Sequence, residues 1–397
     1  MRDVQTVETV VSCFGCSACA AACAHGAIRM TPDVLGFKKA VLDPASCVRC
    51  GGCAAVCPAL HKADKWRPVK AAYGWNLDDA DRAASSSGGV FSALADLFVA
   101  EGGIVFGAVF NAESGTVQHT SSDSAAIVSL RGSKYVQSDM GNVFRSVKDA
   151  LRTGRKVLFC GTPCQAAGLR RFLRVSFENL LIVDFICHGV GSPTVFAACL
   201  ARHVREHDGS PAESVEFRNK SHGWRNSSTR IRFRNGATYE RRNILDPFFQ
   251  GFVDGCYFND VCYNCPFDDS SAADIRLSDF WGHASFGTIP DHDKGLSLLF
   301  ANTENGAACL GSLISSCFLR ELPVDAAVAS QRHSREGRQA LLHHRLRFLA
   351  DVDSAGPIRA LERSVGWRLP GVVIRKIQRV GFASAWRRLF RRFFRKR

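Results

Sequence analysis

The sequence lacks any uninterrupted apolar run that approaches the roughly 18 residues a helix needs to span a bilayer. Its first ten residues, MRDVQTVETV, also lack the apolar core of a secretory signal peptide. Acids are scarce near the other end, where Glu362 is the one acidic residue between Ile358 and Arg397. These absences predict a cytoplasmic protein.

The basic charge lies mainly in the C-terminal segment. Residues 358–397 contain 13 Lys and Arg and carry +12 of the formal charge of +14, so residues 1–357 carry only +2. A general nucleic-acid-binding protein is expected to have a basic body. The distribution of charge therefore argues against that class.

The chain of 397 residues contains 17 cysteines. In a cytoplasmic protein they favour metal or redox chemistry over disulfides. Two quartets stand out because the second repeats the spacing of the first 34 residues later, and Pro58 follows it. Their members are Cys13, Cys16, Cys19 and Cys23, then Cys47, Cys50, Cys53 and Cys57.

A C-x2-C-x2-C-x3-C run is typical of four-iron clusters in which the fourth cysteine binds the neighbouring cluster. We therefore assign Cys13, Cys16, Cys19 and Cys57 to one [4Fe-4S] cluster, and Cys47, Cys50, Cys53 and Cys23 to the other. The alternatives are zinc, which usually takes paired C-x2-C knuckles, and a disulfide framework. Small residues between the cysteines would let backbone N–H groups reach the sulfurs; they are Gly15, Ser17, Ala18, Gly51 and Gly52.

Residues 8–62 resemble bacterial two-cluster ferredoxins. The resemblance departs at Ala24, where those ferredoxins usually have proline after the fourth cysteine. This departure concerns the start of the local helix and not the ligands.

The central part of the chain alternates between strand and helix patterns. We predict strands over residues 103–110, 156–160 and 180–186, and an amphipathic helix over residues 142–151. Such alternation indicates a mostly parallel sheet that binds ligands beyond the carboxyl ends of its strands.

The predicted fold class is an α/β catalytic domain with a mostly parallel sheet, preceded by a small α+β ferredoxin-like domain and followed by a basic amphipathic helical tail. We expect a two-cluster domain at residues 1–62, a polar linker at 63–84, the α/β domain at 85–345 and the tail at 346–397.

A serine- and glycine-rich turn precedes the helical pattern that begins at Val90. Its members Ser86, Ser87, Gly88 and Gly89 are candidates for a phosphate site at a helix N-terminus. The alternative is an ordinary capped surface helix.

Several separate strings over residues 8–300 resemble the beta subunits of coenzyme F420 hydrogenases and dehydrogenases. The closer resemblance is to bacterial members with an N-terminal ferredoxin domain, many of them linked to polysaccharide biosynthesis. The strings are SSSGGVFSAL, RGSKYVQSDMG, FCGTPCQAAGL, DFICHGVGSP, CYNCPF and ADIRLSDFWG. The resemblance implies an FAD-binding domain with an iron–sulfur cluster beside the flavin, acting on a deazaflavin or another organic acceptor.

Carried over to this chain, the resemblance implies a third four-iron cluster held by Cys164, Cys187, Cys262 and Cys265. The alternatives are a zinc site and a group of buried thiols. Cys160 and Cys256 have no assigned role, and Cys199, Cys309 and Cys317 are expected in the core because they lie in apolar helical patterns.

The same resemblance places FAD against Ser86, Ser87, Gly88, Gly89, Ser133, Lys134, Tyr135 and Gln137. No catalytic residue is identified, and the candidates are Lys134 and His188. Lys134 would stabilise reduced flavin, or else simply face solvent. His188 would relay protons, or else cap a turn. Asp279, Trp281 and His283 would line the site, although Trp281 also suits a core position.

These features predict an iron–sulfur flavoprotein oxidoreductase that exchanges electrons with a redox protein partner and a small-molecule substrate. Iron–sulfur clusters carry single electrons, whereas a flavin also takes two as a hydride. The alternative is a flavin-free adaptor that docks redox partners. The sequence leaves the substrate and the direction of electron flow open.

The C-terminal segment, residues 382–397, has an amphipathic helical pattern. Its apolar positions share one helical face and arginines fill the other; the apolar residues are Trp386, Leu389, Phe390, Phe393 and Phe394. Such a helix suits an anionic membrane surface, which would make the protein peripheral. The alternatives are packing on the protein's own core and docking of an acidic electron carrier.

Overall fold

The computed structural model describes residues 6–7, 12–61, 65–331 and 335–365. The tail at residues 382–397 lies outside these ranges, as does most of the segment predicted from residue 346 onward. Within the described ranges, no helix is both long and apolar enough to cross a membrane.

Thirteen strands and twelve α-helices are defined within the described ranges. The strands are β1 (Ile28–Pro32), β2 (Lys38–Leu42), β3 (Lys70–Asn76), β4 (Ile104–Asn111), β5 (Thr116–Ser122), β6 (Val157–Cys160), β7 (Leu180–Phe185), β8 (Ala212–Asn219), β9 (Ser228–Phe233), β10 (Thr238–Arg242), β11 (Ile275–Asp279), β12 (Ser297–Ala301) and β13 (Cys317–Leu322). The helices are α1 (Ala18–Ala22), α2 (Gly52–Val56), α3 (Asp79–Ala84), α4 (Val90–Ala100), α5 (Val143–Arg152), α6 (Pro163–Leu173), α7 (Pro193–Glu206), α8 (Pro247–Val253), α9 (Glu304–Gly311), α10 (Val324–Ser330), α11 (Arg335–Gln339) and α12 (Leu342–Val365).

An eight-stranded sheet in the order β13-β3-β12-β11-β7-β6-β4-β5 forms the centre. The neighbours β11, β7, β6 and β4 pair in parallel, whereas β12, β13 and β5 pair antiparallel with their neighbours. The predicted α/β class with a mostly parallel sheet is confirmed by the uninterrupted block of parallel strands, which antiparallel strands extend on both sides. The strands predicted over 103–110, 156–160 and 180–186 correspond to β4, β6 and β7, and the helix over 142–151 to α5.

Both faces of this sheet are covered, because alternate residues of its strands point to opposite sides. Val157 and Phe159 pack on α5 and α6, whereas Leu158 packs on α4 and α9. Each fully buried Leu, Val or Phe side chain contributes about 1.5–3 kcal/mol of transfer free energy.

The stretch predicted as a linker, residues 63–84, instead contains α3 and the internal strand β3. β3 pairs with β12 on one side and β13 on the other, so it is a structural part of the sheet. Its sequence, Lys-Ala-Ala-Tyr-Gly-Trp-Asn, has only Tyr73 and Trp75 as large apolar residues, and its partners follow more than 200 residues later. Distant pairing rather than local pattern makes this segment a strand.

The N-terminal unit packs directly on the α/β body. Ala18 of α1 and Val56 of α2 are buried in the same hydrophobic core as Phe144 and Leu169 of the body. Gln137 adds polar contacts, because its Nε2 donates to the Phe14 carbonyl (3.3 Å) and its Oε1 accepts from the Lys38 N–H (2.8 Å). The ferredoxin-like unit therefore shares a core with the body.

A separate layer of the body contains a smaller, antiparallel sheet. The antiparallel sheet β10-β9-β8 packs with α7, α8 and α12 around an aromatic core. Phe348 and Leu361 of α12 are buried in that core. The first part of the segment predicted as a separate tail, from residue 346, thus contributes to the body as far as Val365.

Candidate functional site

The two N-terminal cysteine loops have the same backbone geometry. Gly15 and Ser17 in the first loop have φ values of 72° and 66°, and their counterparts 34 residues later, Arg49 and Gly51, have 53° and 73°. Residues with positive φ beside ordinary ones turn successive N–H groups inward and form concavities that bind anions, including iron–sulfur clusters. The repeat seen in the sequence is therefore also a repeat in local conformation.

The inner set of thiols comprises Cys13, Cys16, Cys19 and Cys57, which line one cavity. Burial, followed by the neighbouring Cys13 and Cys57 thiolates, raises the pKa of Cys19 to about 12. Three cysteines of the first loop thus meet one from the second, which is the grouping that ligand exchange between two clusters requires.

The outer set comprises Cys23, Cys47, Cys50 and Cys53. Cys23 and Cys53 pack against the same small hydrophobic cluster, whereas Cys50 is exposed. The Arg49 N–H lies 3.4 Å from Cys47 Sγ and donates to it. The outer set therefore lies nearer to the protein surface than the inner set.

The third set of thiols comes from three separate elements. Cys164 lies in the first turn of α6, Cys187 follows β7, and Cys262 and Cys265 belong to the turns of 3₁₀ helix at Asp260–Asn264 and Pro266–Asp268. Burial, followed by Cys187 and Cys265, raises the pKa of Cys262 well above its usual value. Neighbouring thiols that are costly to ionise suit a cation or a cationic cluster among them.

The donor chemistry of all three sets fits a metal cluster. Each set supplies four soft thiol ligands, a composition used by four-iron clusters and by zinc. All 17 cysteines are free thiols. Within the described ranges no three His, Cys, Asp or Glu side chains converge on one metal position.

The inner set contacts the helix that carries Cys164. Cys16 Sγ would lie 3.1 Å from a Cβ added at Gly168, one turn after Cys164 in α6. The ring of Phe14 also meets the ring of Phe267 edge-on at 5.5 Å, two residues beyond Cys265. The lack of a side chain at Gly168 therefore brings the inner and third sets close together.

The predicted flavin segments meet at the carboxyl edge of the sheet. The Ser133 N–H donates to Ser86 Oγ at 2.7 Å, which joins the serine-rich turn to the RGSKYVQ segment. Ser87 Oγ donates to the Leu296 carbonyl at 2.9 Å. The two segments predicted to contact FAD are thus adjacent, although far apart in sequence.

Gly88 and Gly89 have a packing role in this turn. The Gly88 N–H donates to Ser297 Oγ at 3.0 Å, and a Cβ there would lie 2.6 Å from the Gly74 carbonyl oxygen. Gly89 has a φ of 85° and begins α4. These glycines let the turn pack against β3 and β12, so Ser86 and Ser87 are the members that remain partly exposed.

The two candidate catalytic residues are held by carbonyl groups. Lys134 Nζ donates to the carbonyls of Ser129 (3.1 Å) and Arg131 (2.6 Å), and burial lowers its pKa to about 7. His188 Nε2 lies 3.0 Å from the Val253 carbonyl. Contacts of this kind also suit a structural role, so the catalytic role of Lys134 and His188 stays a prediction.

The remaining residues predicted at the flavin site lie in two places, at the carboxyl edge of the sheet and against the N-terminal unit. Tyr135 OH accepts from Arg218 Nη1 at 3.2 Å, at the carboxyl edge. Gln137 is buried against the N-terminal unit, as described above. Asp279 also accepts from Arg218, and His283 lies 3.1 Å from Arg225.

The cysteines without an assigned role lie in hydrophobic surroundings. Cys199 and Cys256 belong to the aromatic core, and Cys309 on α9 and Cys317 pack in the core that α4 covers. The core positions expected for Cys199, Cys309 and Cys317 are confirmed, although Cys317 begins β13 and does not lie in a helix. Cys160 ends β6, and burial raises its pKa to about 12.

The sequence did not indicate two basic residues at the carboxyl edge. Arg218 ends β8 and bonds Tyr135 and Asp279, while Lys220 Nζ donates to the carbonyls of Arg82 and Ser87. Their local sequence, Glu-Phe-Arg-Asn-Lys, is typical of a solvent-exposed strand end. The one signal in the sequence is that Arg218 directly follows the alternating buried positions Val215 and Phe217.

We expect a pH dependence of stability from Lys220, whose pKa burial lowers to about 7. Below pH 7 folding must bury its charge. Between pH 7 and about 10 the folded form is neutral while the unfolded form stays protonated, so stability should rise with pH. After discounting for its partial exposure, the gain is about 1 kcal/mol.

Thermal midpoints of wild type and Lys220→Met at pH 7, 8 and 9 test this expectation. The wild-type midpoint should rise relative to that of the variant. Parallel curves would mean that Lys220 titrates normally.

Two family models match the chain. Residues 12–60 match a 4Fe-4S dicluster domain, and residues 154–326 match the C-terminal part of the coenzyme F420 hydrogenase/dehydrogenase beta subunit. The resemblance seen in the sequence is thereby confirmed for both parts. A search among curated proteins finds no match.

A solved structure that resembles this chain comes from the F420-reducing [NiFe] hydrogenase complex of Methanosarcina barkeri. The two chains share 17% identity with a TM-score of 0.48, and the match covers 74% of this chain and 96% of the other.

Proposed function

We propose, for a chain that belongs to the coenzyme F420 hydrogenase/dehydrogenase beta-subunit family, that it is an iron–sulfur flavoprotein oxidoreductase. Its 4Fe-4S dicluster domain supplies electron transfer at the N-terminus. Our proposal adds a third cluster, held by Cys164, Cys187, Cys262 and Cys265, and one FAD at the carboxyl edge of the sheet. Electrons pass between a redox protein partner and a small organic substrate or deazaflavin.

The contact between Cys16 and α6 carries the proposal. Cys16 belongs to the inner set, and the residue it packs against, Gly168, lies one turn after Cys164. An adaptor that only docks partners has no need to bring the dicluster thiols against a further cysteine set inside the body. A short internal route between the two is what an electron-transferring enzyme requires.

The exposure of the cysteines suggests an order for that route. Cys50 of the outer set is exposed, Cys16 and Cys19 of the inner set are buried, and Cys262 of the third set is buried inside the body. An external carrier would therefore exchange electrons at the outer set. The inner set connects it to the third set, and the third set lies at the carboxyl edge, where the substrate site is expected.

The proposed flavin site combines polar groups from three segments. Ser86 and Ser133 supply polar groups, Arg218 supplies positive charge next to Tyr135, and Lys220 supplies a basic side chain next to Ser87. A flavin, when bound, exchanges hydride with organic substrates and single electrons with clusters. The basic side chains would bind the anionic parts of the cofactor and favour its reduced form.

The proposed interaction with a redox protein rests on the exposure of the outer cysteine set and on the family match. Cys50 of the outer set is exposed, so an external carrier can approach it. The family consists of subunits of hydrogenases and dehydrogenases, and we propose that this chain likewise works with a redox protein. Peripheral membrane binding through residues 382–397 remains our prediction from sequence.

Iron and flavin content of anaerobically purified protein test the proposal. About twelve irons and one FAD per chain are expected, with the broad visible absorption of clusters superposed on flavin bands. Iron without flavin would instead identify the flavin-free adaptor. Absence of iron would contradict both functions.

Replacing Cys50 by serine should block reduction by an external electron donor while the FAD stays bound. Cys50 is exposed in the outer loop and belongs to none of the flavin segments. The expected result is loss of most enzymatic reduction of the flavin, with photochemical reduction retained.

The matched control is Cys309→Ser, because Cys309 is a partly buried residue of α9 and belongs to no cysteine set. It should retain both reactions. Normal enzymatic reduction of Cys50→Ser would show that electrons enter elsewhere.

A further inference from the structure

Four side chains form a group at the ends of β8 and β11 that the family match does not explain. They are Arg218, Lys220, Asp279 and Trp281, called here the Arg218 subsite. β11 is parallel to β7, and the chain after β7 leads directly to Cys187. Lys220 reaches the carbonyl of Ser87 in the serine-rich turn. The subsite therefore lies between the proposed phosphate turn and the third cysteine set.

Arg218 is buried but incompletely paired. Its side chain is 7% exposed, and Nη1 donates to Tyr135 OH (3.2 Å) and Asp279 Oδ2 (3.1 Å) while Nε donates to Ser227 Oγ (3.0 Å). Nη2 is buried and has no hydrogen-bond partner within the described part of the chain. Buried donors are nearly always paired in native proteins, so an acceptor from a ligand is the simplest partner for this one.

Trp281 offers an aromatic surface beside that guanidinium. Its side chain is 50% exposed although the indole stacks on buried Trp224, with ring centroids 4.1 Å apart and an angle of 3°. The Arg218 guanidinium carbon lies 5.5 Å from the Trp281 ring centroid. A rigid, half-exposed indole is a stacking platform for another planar ring.

The charge of the subsite favours an electron-rich ligand. The Arg218 guanidinium keeps a buried N–H donor unpaired beside the one carboxylate of Asp279, and Lys220 adds a second basic side chain. Lys220 is already held by backbone carbonyls of Arg82, Ser87 and Lys294, so it is fixed in place. A planar ligand with carbonyl oxygens or negative charge along one edge would satisfy Arg218 and stack on Trp281 together.

We propose that Arg218 and Trp281 bind a planar heterocycle with a carbonyl-rich or anionic edge. This inference rests on the proposed function, because such a ring belongs either to the resident flavin or to a deazaflavin-type substrate that exchanges with solvent. Both sources share the chemistry that the subsite recognises, and they differ in whether the ring stays with the protein during purification.

The test uses the full chain, purified anaerobically, with Arg218→Gln and Trp281→Ala compared with wild type. The matched control is Arg232→Gln, because Arg232 lies in the same three-stranded sheet but its side chain is 55% exposed. Three quantities are measured: retained flavin per chain, iron per chain, and the affinity for added 8-hydroxy-5-deazaflavin from quenching of tryptophan fluorescence.

Both variants should keep their iron and lose at least about tenfold in binding of one ring, as expected for a lost bond to a charged group. Loss of retained flavin would assign the subsite to the resident cofactor. Retained flavin with weakened deazaflavin binding would assign it to the exchanging substrate. Unchanged binding of both rings would overturn the inference.

Two further outcomes are also decisive. If Arg218→Gln loses iron and thus fails to fold, Trp281→Ala decides the question, since half of this side chain is already in water. If wild type contains no flavin, the proposed cofactor is wrong, and the deazaflavin titration alone decides whether the subsite binds a ring.

Discussion

Cys262→Ser is expected to lower the iron content from about twelve to about eight atoms per chain. Cys262 is buried, and its neighbours are the thiols of Cys187, Cys265 and Cys164. A serine hydroxyl is a poor ligand for iron in a thiolate set, so the whole third cluster should be lost. The dicluster domain should keep its iron and its spectroscopic signal, because its eight cysteines lie in the N-terminal unit.

The control for this experiment is Cys256→Ser. Cys256 is as fully buried as Cys262 and lies only six residues earlier, but it belongs to the aromatic core. It should keep about twelve irons, which separates loss of a ligand from general damage to the fold. Full iron content in Cys262→Ser would refute the third cluster.

Arg276→Met should lower the free energy of unfolding by about 3–5 kcal/mol. Arg276 on β11 pairs with Asp184 on β7 through Nε–Oδ1 (2.8 Å) and Nη2–Oδ2 (2.7 Å), and the side chains are 1% and 0% exposed. Methionine replaces the volume but leaves the Asp184 carboxylate buried without its counter-charge. Arg276 Nη2 also donates to the Ser270 carbonyl, shortly after Cys265, so loosening of the third cysteine set should accompany the loss.

Anaerobic denaturant titration measures this effect, with Arg230→Met as the control. Arg230 pairs with Glu240 at 20% and 25% exposure, and such a partly exposed pair should contribute less than about 1 kcal/mol. The double variant Asp184→Leu/Arg276→Met should recover much of the stability, because no unpaired charge remains. Equal losses for Arg276→Met and Arg230→Met would show that burial of the pair does not matter.

Local pattern was sufficient where a strand is apolar throughout. Residues 157–159 of β6 and 180–183 of β7 are continuous runs of Val, Leu, Ile and Phe, because both faces of these strands are covered. β3 is different. Only Tyr73 and Trp75 among its seven residues are large and apolar, and it becomes a strand through pairing with segments near residues 297–322. Such long-range pairing leaves no periodic signal in one short stretch.

The same contrast applies to the candidate site. Cysteine spacing grouped the eight thiols of the N-terminal loops, because a cluster restricts which sequence distances can share one metal centre. The third set was grouped only by the family resemblance. Arg218 and Lys220 carry no comparable constraint, since a basic residue after a strand is usually solvated. Only the fold brings Lys220 against Ser87, 133 residues earlier in the chain. The contacts of Gln137 with the N-terminal unit could not be predicted for the same reason.

The shared core of the N-terminal unit and the body has a consequence for how the protein works over time. Ala18 and Val56 are buried together with side chains of α5 and α6, and Cys16 packs on the bare backbone of Gly168. A carrier domain on a flexible linker would have to move between electron donor and acceptor. The rate of each electron transfer would then be limited by that motion. In the proposed route the spacing of the inner and third sets is instead set once, when the chain folds, so internal electron transfer would follow a fixed path. Diffusion then governs only the encounters with partners outside the molecule.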